Sequence, residues 1–529
     1  MIVVCGIDLG TTYSSISWYD PDNKRVETID LNTADGAKVI RSVVYFPGQG
    51  QTPVVGDTAW NAAKQYRDRV VDRVKRSMGT AYKTPPIDGI EYTPQQISAE
   101  ILKVVACDAQ KYLGAEVKDV VITVPAYFGD TERAPTEEAG KLAGLNVLGL
   151  LPEPHAAALA FAVEKVAEIN NRHILVYDLG GGTFDVTLIH TTTSQDPNKP
   201  INLQIDTICK EGNASLGGLN FDDALAEIVA EKVKQQFGVD IRKDANNDAF
   251  LLDNCEKRKR DLSRTSTTSI VADPAGHQVD VSVSEFEDRT RDLLLQTKML
   301  MEHVLDDAEK KHGIKRDQIE VMLTGGASRM PMVARMIEGL MGKPPFQHRN
   351  PELLVTIGAA YWAHLIQGKK SDPNRENPIE VIVKDQDGTV RKESVQVKTG
   401  GLTDISFYAV GVAVLRPDGQ GSMKEVNAVI VPNGTKYGAE FKKEFQTSED
   451  NMKEIPIILY KGESERIDEC QPIMTFTITG LPSGLKRGTR VFVTLGYDDS
   501  GIIRGSAIAQ TGGSGHKVDI VVDRSNIPA

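Results

Sequence analysis

One phrase, met twice, constrains this chain more than any other feature. Residues 176–185 read Val-Tyr-Asp-Leu-Gly-Gly-Gly-Thr-Phe-Asp, and residues 6–14 read Gly-Ile-Asp-Leu-Gly-Thr-Thr-Tyr-Ser. Each copy starts in an apolar run read as a buried strand, places an aspartate (Asp178, Asp8) at the strand end, and continues with glycines and hydroxyls. Gly180, Gly181 and Gly182 make a turn with no side chains in the way, able to aim several backbone N–H groups into one concavity suited to phosphate oxygens. Carboxylates of Asp178 and Asp185 beside bound phosphates suit a hard cation such as magnesium, and Thr183 adds a hydroxyl. A single copy reads equally well as an ordinary hairpin turn. Two copies about 170 residues apart, with aspartate in the same place, point to a duplicated fold whose two phosphate loops face one nucleotide.

Bulk properties narrow the class. At ~150 residues per domain, 529 residues make three or four domain-sized units. The chain is 40% hydrophobic and 25% charged, which supports sizeable cores. A net charge of −12 without a long like-charge block argues against nucleic-acid binding. Cys5, Cys107, Cys209, Cys255 and Cys470 are scattered with no C-x-x-C pair, so no disulfide framework or zinc site is expected, and a reducing cytoplasm fits. The chain opens directly into strand sequence at 2–4, and no run reaches ~18 apolar residues, so no secretion signal or membrane span is expected.

Along the chain, 57–75 reads as an amphipathic helix ending near Lys75, and 93–113 as a second helix with Pro94 in its first turn. Locally, Lys75 is either a solvated helix-end lysine or a compact cation for a γ-phosphate. A strand over 118–125, a helix over 130–143 and a strand over 147–151 lead to Pro152-Glu153-Pro154. That tripeptide is either a simple turn before a helix over 155–167 or a stiff support for one carboxylate. Strands over 184–191 and 201–208 precede Gly217-Gly218 and a helix over 222–237; glycines before a helix offer another anion site. Glu256, Lys259, Arg260 and Ser263 share one helical face, either a solvated ion-pair stripe or a nucleoside-binding surface. A long helix over 285–312, a strand over 319–324, the segment Gly325-Gly326-Ala327-Ser328-Arg329-Met330-Pro331 and a helix over 355–366 follow. Beyond Gly368 helical periodicity stops. Residues 379–384 and 390–397 read as a hairpin around 385–388, and short strands over 407–415, 425–431, 440–447, 454–461, 473–479, 490–497, 502–509 and 518–522 signal a β-sandwich.

The blocks 6–14, 123–128 (Thr-Val-Pro-Ala-Tyr-Phe), 178–186 and 324–331, in that order, resemble the 70-kDa heat-shock chaperone family. The resemblance is strong over the first 368 residues and looser in the β-rich part, where 459–466, 479–482 and 498–503 carry it. It implies an α/β, actin-like ATPase fold of duplicated ribonuclease-H-like lobes over 1–368, a linker with an extra hairpin over 369–400, and an all-β peptide-binding-like sandwich over 401–529 without an α-helical lid.

By the same resemblance, Lys75, Glu153, Thr183, Asp8 and Asp178 serve hydrolysis. Asp8, Asp178 and Asp185 serve magnesium and potassium. Gly10, Thr11, Thr12, Tyr13, Gly180, Gly181, Gly182, Gly217, Gly218, Glu256, Lys259, Arg260, Ser263, Gly325, Gly326, Ser328 and Arg329 surround ATP or ADP. The resemblance selects the ligand reading at Lys75, Glu153 and the 256–263 face. It further implies extended peptide segments as clients, a J-domain co-chaperone, a nucleotide-exchange factor, and a cytoplasmic monomer. A nucleotide-gated scaffold with little turnover is the alternative. His155, Ala327 and Leu219-Asn220 depart from the family's usual threonine, serine and acidic residues, and the apolar linker of the family is represented at best by 402–405.

Overall fold

The computed structural model describes residues 2–31, 37–166, 168–194, 199–369, 372, 375–384, 390–397, 401–418, 422–511 and 516–521. It divides into two compact units. The first comprises 1–78, 82–127 and 136–402; the second comprises 79–81, 128–135 and 403–529.

Two of the sheets in the first unit share one topology. One runs Arg25–Thr28, Tyr13–Asp20, Ile2–Leu9, Glu116–Val124, Asn146–Pro152. The other runs Ile201–Asn213, Phe184–Ser194, Arg172–Leu179, Ile319–Thr324, Phe346–Gln347. In both, the first strand in sequence pairs antiparallel with the second and parallel with the fourth. The inner parallel strands are mainly apolar and buried over their central and C-terminal residues, such as 120–124 and 174–176, while the first residues of those two strands and the edge strand Phe346–Gln347 are more exposed. The helices Glu153–Glu164 and Leu354–Ile366 meet so closely that a Cβ on Gly358 would lie 1.8 Å from the Ala156 carbonyl oxygen. Gly6 allows the same approach between its strand and Ala360. Alanines of both helices join Val4, Val121, Ile174 and Val176 in one core.

Several expected elements differ. The helix over 57–75 stops at Ala62. β-Branched Val70 and Val71 instead pair with Val44 and Tyr45, and Arg73 turns left-handed (φ 57°) before a short 3-10 turn, Val74–Ser77. Pro152-Glu153-Pro154 is not a turn: Pro152 ends the strand, Glu153 opens the helix, and Pro154 sits in the first turn, where its missing N–H costs nothing. The helix expected from 222 begins at Gly218. The hairpin expected inside a linker is sheet. Ile379–Lys384 pairs with Val390–Gln396, which adds to the second sheet beside Ile201–Asn213; its turn at 385–388 lies outside the described residues.

The second unit is a sandwich of two four-stranded antiparallel sheets among the described residues. One orders Met423–Val431, Val410–Pro417, Ile455–Lys461, Gln471–Ile478; the other orders Glu440–Gln446, Arg490–Tyr497, Ile503–Ala509, His516–Val521. Alternating residues such as Val410, Val412, Leu459, Val493 and Leu495 fill the space between them. All eight strands expected after 400 are present; residue 522 lies outside the described residues. Within this unit, fully buried Arg133 donates to the Phe128 and Ser500 carbonyls and pairs at 3.1 Å with Asp404, in the segment expected as the apolar linker.

Candidate nucleotide site

The duplicated strands deliver their turns to one place in the first unit. A Cβ on Gly181 would lie 2.0 Å from Thr12 Oγ1, and one on Gly182 would lie 2.3 Å from Thr11 Cγ2. Only glycine lets the second turn come this close to the first. Gly10 is equally constrained, its virtual Cβ meeting the Tyr13 carbonyl at 2.1 Å.

The second turn is fixed from outside. The Gly180 N–H donates to the Thr183 carbonyl, closing the turn. The Gly180, Gly181 and Gly182 carbonyls accept from Gly218 N–H (2.9 Å), Leu219 N–H (2.8 Å) and Arg76 Nε (2.8 Å). In a trans peptide C=O and N–H point opposite ways. The amides of Gly181, Gly182 and Thr183 therefore face away from these donors, the orientation an anion nest requires. Gly217-Gly218 act differently from expectation: their amides serve the turn and Asn220 rather than forming a separate anion site. A Cβ on Gly217 would strike the Gly182 backbone at 2.6 Å.

Carboxylates gather beside the turns. Asp178 and Asp185 face each other in the strand register, whereas the residue opposite Asp8 is Ser15. Burial, then the nearby Glu153 carboxylate, pushes Asp8 up to about 7, although Thr123 donates to it at 3.0 Å. The same causes push Asp185 up to about 8. Burial, then Glu153 and the two other aspartates, holds Asp178 well above the usual carboxylate range. Lys75, buried in its 3-10 turn, pairs with Glu153 at 2.7 Å. Buried Asp185 Oδ1 and Thr12 Oγ1 have no protein partner. Among the described residues no group of three or more acidic, histidine or cysteine side chains converges closely enough to ligate a metal directly. The unmet acceptor oxygen of Asp185 and the raised proton affinity of the three aspartates fit a cation beside them.

The 256–263 face packs against the first turn. Glu256 accepts from Tyr13 OH (2.6 Å), Arg41 Nη1 (2.6 Å) and Arg260 Nη2 (2.7 Å). Arg41 lies 5.0 Å from the Tyr13 ring centroid and 5.0 Å from that of Trp60. Lys259 pairs with Asp222 at 2.7 Å and donates to the Gly218 carbonyl at 2.9 Å. Ser263 caps the helix C-terminus. Gly325 (φ 79°) leaves room for Asp178, whose Oδ1 lies 2.4 Å from a virtual Cβ. Ser328 donates to the Gly325 carbonyl, Gly326 borders open space, and Arg329 turns to Glu352 at 2.8 Å. Sequence reasoning missed Arg41, Trp60, Arg76 and Asp253. Their partners lie up to 215 residues away, as with Arg41 and Glu256, and no local motif marks them.

Of the three departures, His155 is buried and bonds to Thr207 at 3.1 Å, Ala327 is buried, and Asn220 accepts from both Arg76 and the Gly217 amide.

Two lobes of one topology, meeting at paired glycine and hydroxyl turns, give the actin-like ATPase fold. The chain belongs to the 70-kDa heat-shock protein family: the Hsp70 protein model matches residues 4–90, 86–376 and 387–527. It is 37% identical over 528 residues to the chaperone protein DnaK of Thermotoga petrophila, covering 98% of this chain and 80% of that protein. The DnaK of Thermotoga maritima gives the same values. That of Thermosipho africanus is 36% identical over 512 residues, covering 95% of this chain and 77% of its own length. Among the described residues no helix is long and apolar enough to cross a membrane.

Proposed function

We propose that the residues around the paired turns bind and hydrolyse ATP and that the sandwich uses the resulting change to hold and release extended peptide. The chain is an ATP-dependent chaperone of the 70-kDa heat-shock type and an ATPase. The observation that carries the site assignment is the meeting of Gly181 and Gly182 with Thr12 and Thr11, beside the buried Lys75–Glu153 pair.

Phosphoryl transfer to water needs an aligned nucleophile and positive charge on the γ-phosphoryl oxygens. In this reading the inward amides of the second turn and the hydroxyls of Thr11 and Thr12 hold the phosphates. Lys75 approaches the γ-phosphoryl oxygens, and Glu153 with Thr183 orients the water. Asp8 and Asp178 would hold magnesium through waters, and Asp185 with Asp8 would hold potassium. A divalent cation at the aspartates supplies charge neutralisation to the phosphates. Tyr13, Glu256, Lys259, Arg260 and Ser263 form one nucleoside wall; Gly325, Gly326, Ser328 and Arg329 form the other.

In the proposed domain layout residues 1–368 form the ATPase, 379–396 extend its second sheet, and 401–529 bind peptide through strand-edge hydrogen bonds and an apolar pocket. A J-domain protein and a nucleotide-exchange factor are the proposed partners of a cytoplasmic monomer.

The test is single-turnover ATP hydrolysis with magnesium and potassium, with and without extended apolar peptides. Hydrolysis above that of Asp8→Asn, stimulated by peptide, is expected. No hydrolysis above that control would overturn the site assignment. Hydrolysis that ignores every peptide would overturn the coupling to the sandwich.

A further inference from the structure

Two of the three glycine carbonyls in the second turn are held by helix amides, but the third is held by a side chain from another part of the unit. Arg76 Nε donates to the Gly182 carbonyl at 2.8 Å. Its Nη2 donates at 2.7 Å to Asn220 Oδ1, which also accepts the Gly217 N–H at 2.9 Å. One guanidinium thus spans the phosphate turn and the start of the Gly218–Phe237 helix, a task its rigid fork suits and a lysine's point charge does not. Arg76 follows Lys75 in the same 3-10 turn, Val74–Ser77. That turn sends Lys75 to Glu153 and Arg76 to Gly182.

We infer that Arg76 is a positioning residue for nucleotide: it fixes the Gly182–Thr183 peptide so that the Thr183 amide faces the phosphates, and it locks the distance between that amide and Lys75. Glycine peptides rotate readily, so without the guanidinium the Gly182 carbonyl is free to turn inward and present an acceptor to an anion. Asn220 belongs to the same device. Where the family places an acid, a neutral amide here accepts from Arg76 and Gly217 together, with no added negative charge beside the phosphate turn.

The inference rests on the ATP reading of the site, and its test separates the two. ATP half-saturation and maximal single-turnover rate are measured for the wild-type full chain and for Arg76→Ala, Arg76→Lys, Asn220→Ala and the Arg76→Ala/Asn220→Ala pair. Melting temperatures are taken with and without ADP. Arg76→Ala is expected to raise half-saturating ATP about tenfold and to lose most of the ADP-induced rise in melting temperature. Arg76→Lys should fall between it and wild type. Asn220→Ala should show a smaller effect that does not add to that of Arg76→Ala, as members of one network behave. Wild-type half-saturation and ADP response in Arg76→Ala, or additive single effects, would overturn the positioning role while leaving the ATP reading intact. A wild-type chain that binds no ATP would overturn both. If Arg76→Ala does not fold, Arg76→Lys and Asn220→Ala carry the same comparison.

Discussion

The two ends of the proposed nucleotide site hold buried carboxylates in opposite ways. At the phosphate end, burial and mutual repulsion among Asp8, Asp178, Asp185 and Glu153 outweigh the pull of Lys75, and the three aspartates are pushed up, two of them to about 7 and about 8. At the nucleoside end burial pushes the same way but loses. Arg41, Tyr13 and Arg260 hold Glu256 below its usual range, and Lys64, Lys257 and Trp60 hold Asp253 down to about 2. A cluster already matched by the protein's own cations needs no charge from a ligand and serves as a preorganised wall. A cluster short of positive charge is a place where a ligand brings it, in the proposed reading a cation with phosphates.

Removing positive charge from the short end should cost most. Lys75→Ala is expected to lower the single-turnover rate by roughly 10²–10³-fold, the scale for losing one preorganised electrostatic partner. ADP affinity should change far less, because the ion pair acts where charge develops. A rate within threefold of wild type would show that Lys75 serves Glu153 alone.

The second effect concerns the cation. Chelating divalent metal should weaken ADP binding to wild type at least tenfold, about 1.4 kcal/mol. In Asp178→Asn the metal-dependent part should shrink, since one of the repelling carboxylates is gone. Titration calorimetry with and without chelator reads this directly. An equal metal dependence in both proteins would break the contrast between the two ends.

At the matched end the expected loss is in binding alone. Glu256→Gln keeps a hydrogen-bond acceptor but leaves Arg41 and Arg260 without their shared charge. Hydrogen bonds to charged groups contribute about 1.5–3 kcal/mol each, and part of this should appear as a rise of about tenfold in half-saturating ATP. The maximal single-turnover rate should stay near that of wild type. A fall in that rate would place Glu256 in the chemistry.

The same contrast explains what the sequence made legible. The duplicated Asp-Leu-Gly phrase announced both lobes because a phosphate turn needs its residues consecutive: strand, aspartate, glycine, hydroxyl. The sandwich was legible from alternation, since its strands bury one face each. At the matched end the 256–263 face was legible, but the residues that brace it stayed hidden. Arg41, Trp60 and Asp253 act on partners brought close only by the fold, and an arginine in a short strand or a tryptophan in a six-residue helix carries no local mark of that. Helix 57–75 failed for a related reason. Its apolar spacing was helical, but Val70 and Val71 gain more as strand partners of Val44 and Tyr45 than as a helix face.

The smallest expected effect tests the matched end through acid. Asp253 is 2% exposed and accepts from Trp60 Nε1 (2.8 Å), Lys64 (2.7 Å) and Lys257 (2.9 Å). Its folded proton affinity lies below the ordinary value of about 3.9 in an unfolded chain. The carboxylate therefore adds stability above pH ~4, and that contribution falls as pH drops through about 2. With those two values, about half of it is gone by pH 3. Asp253→Asn should be less stable than wild type to denaturant at pH 7, and the gap should narrow by about half at pH 3. Because Asp253 stands on the helix that carries Glu256, a gap that widened in acid would mean that this end, too, holds its carboxylates short of positive charge, and the division between the two ends would have to be redrawn.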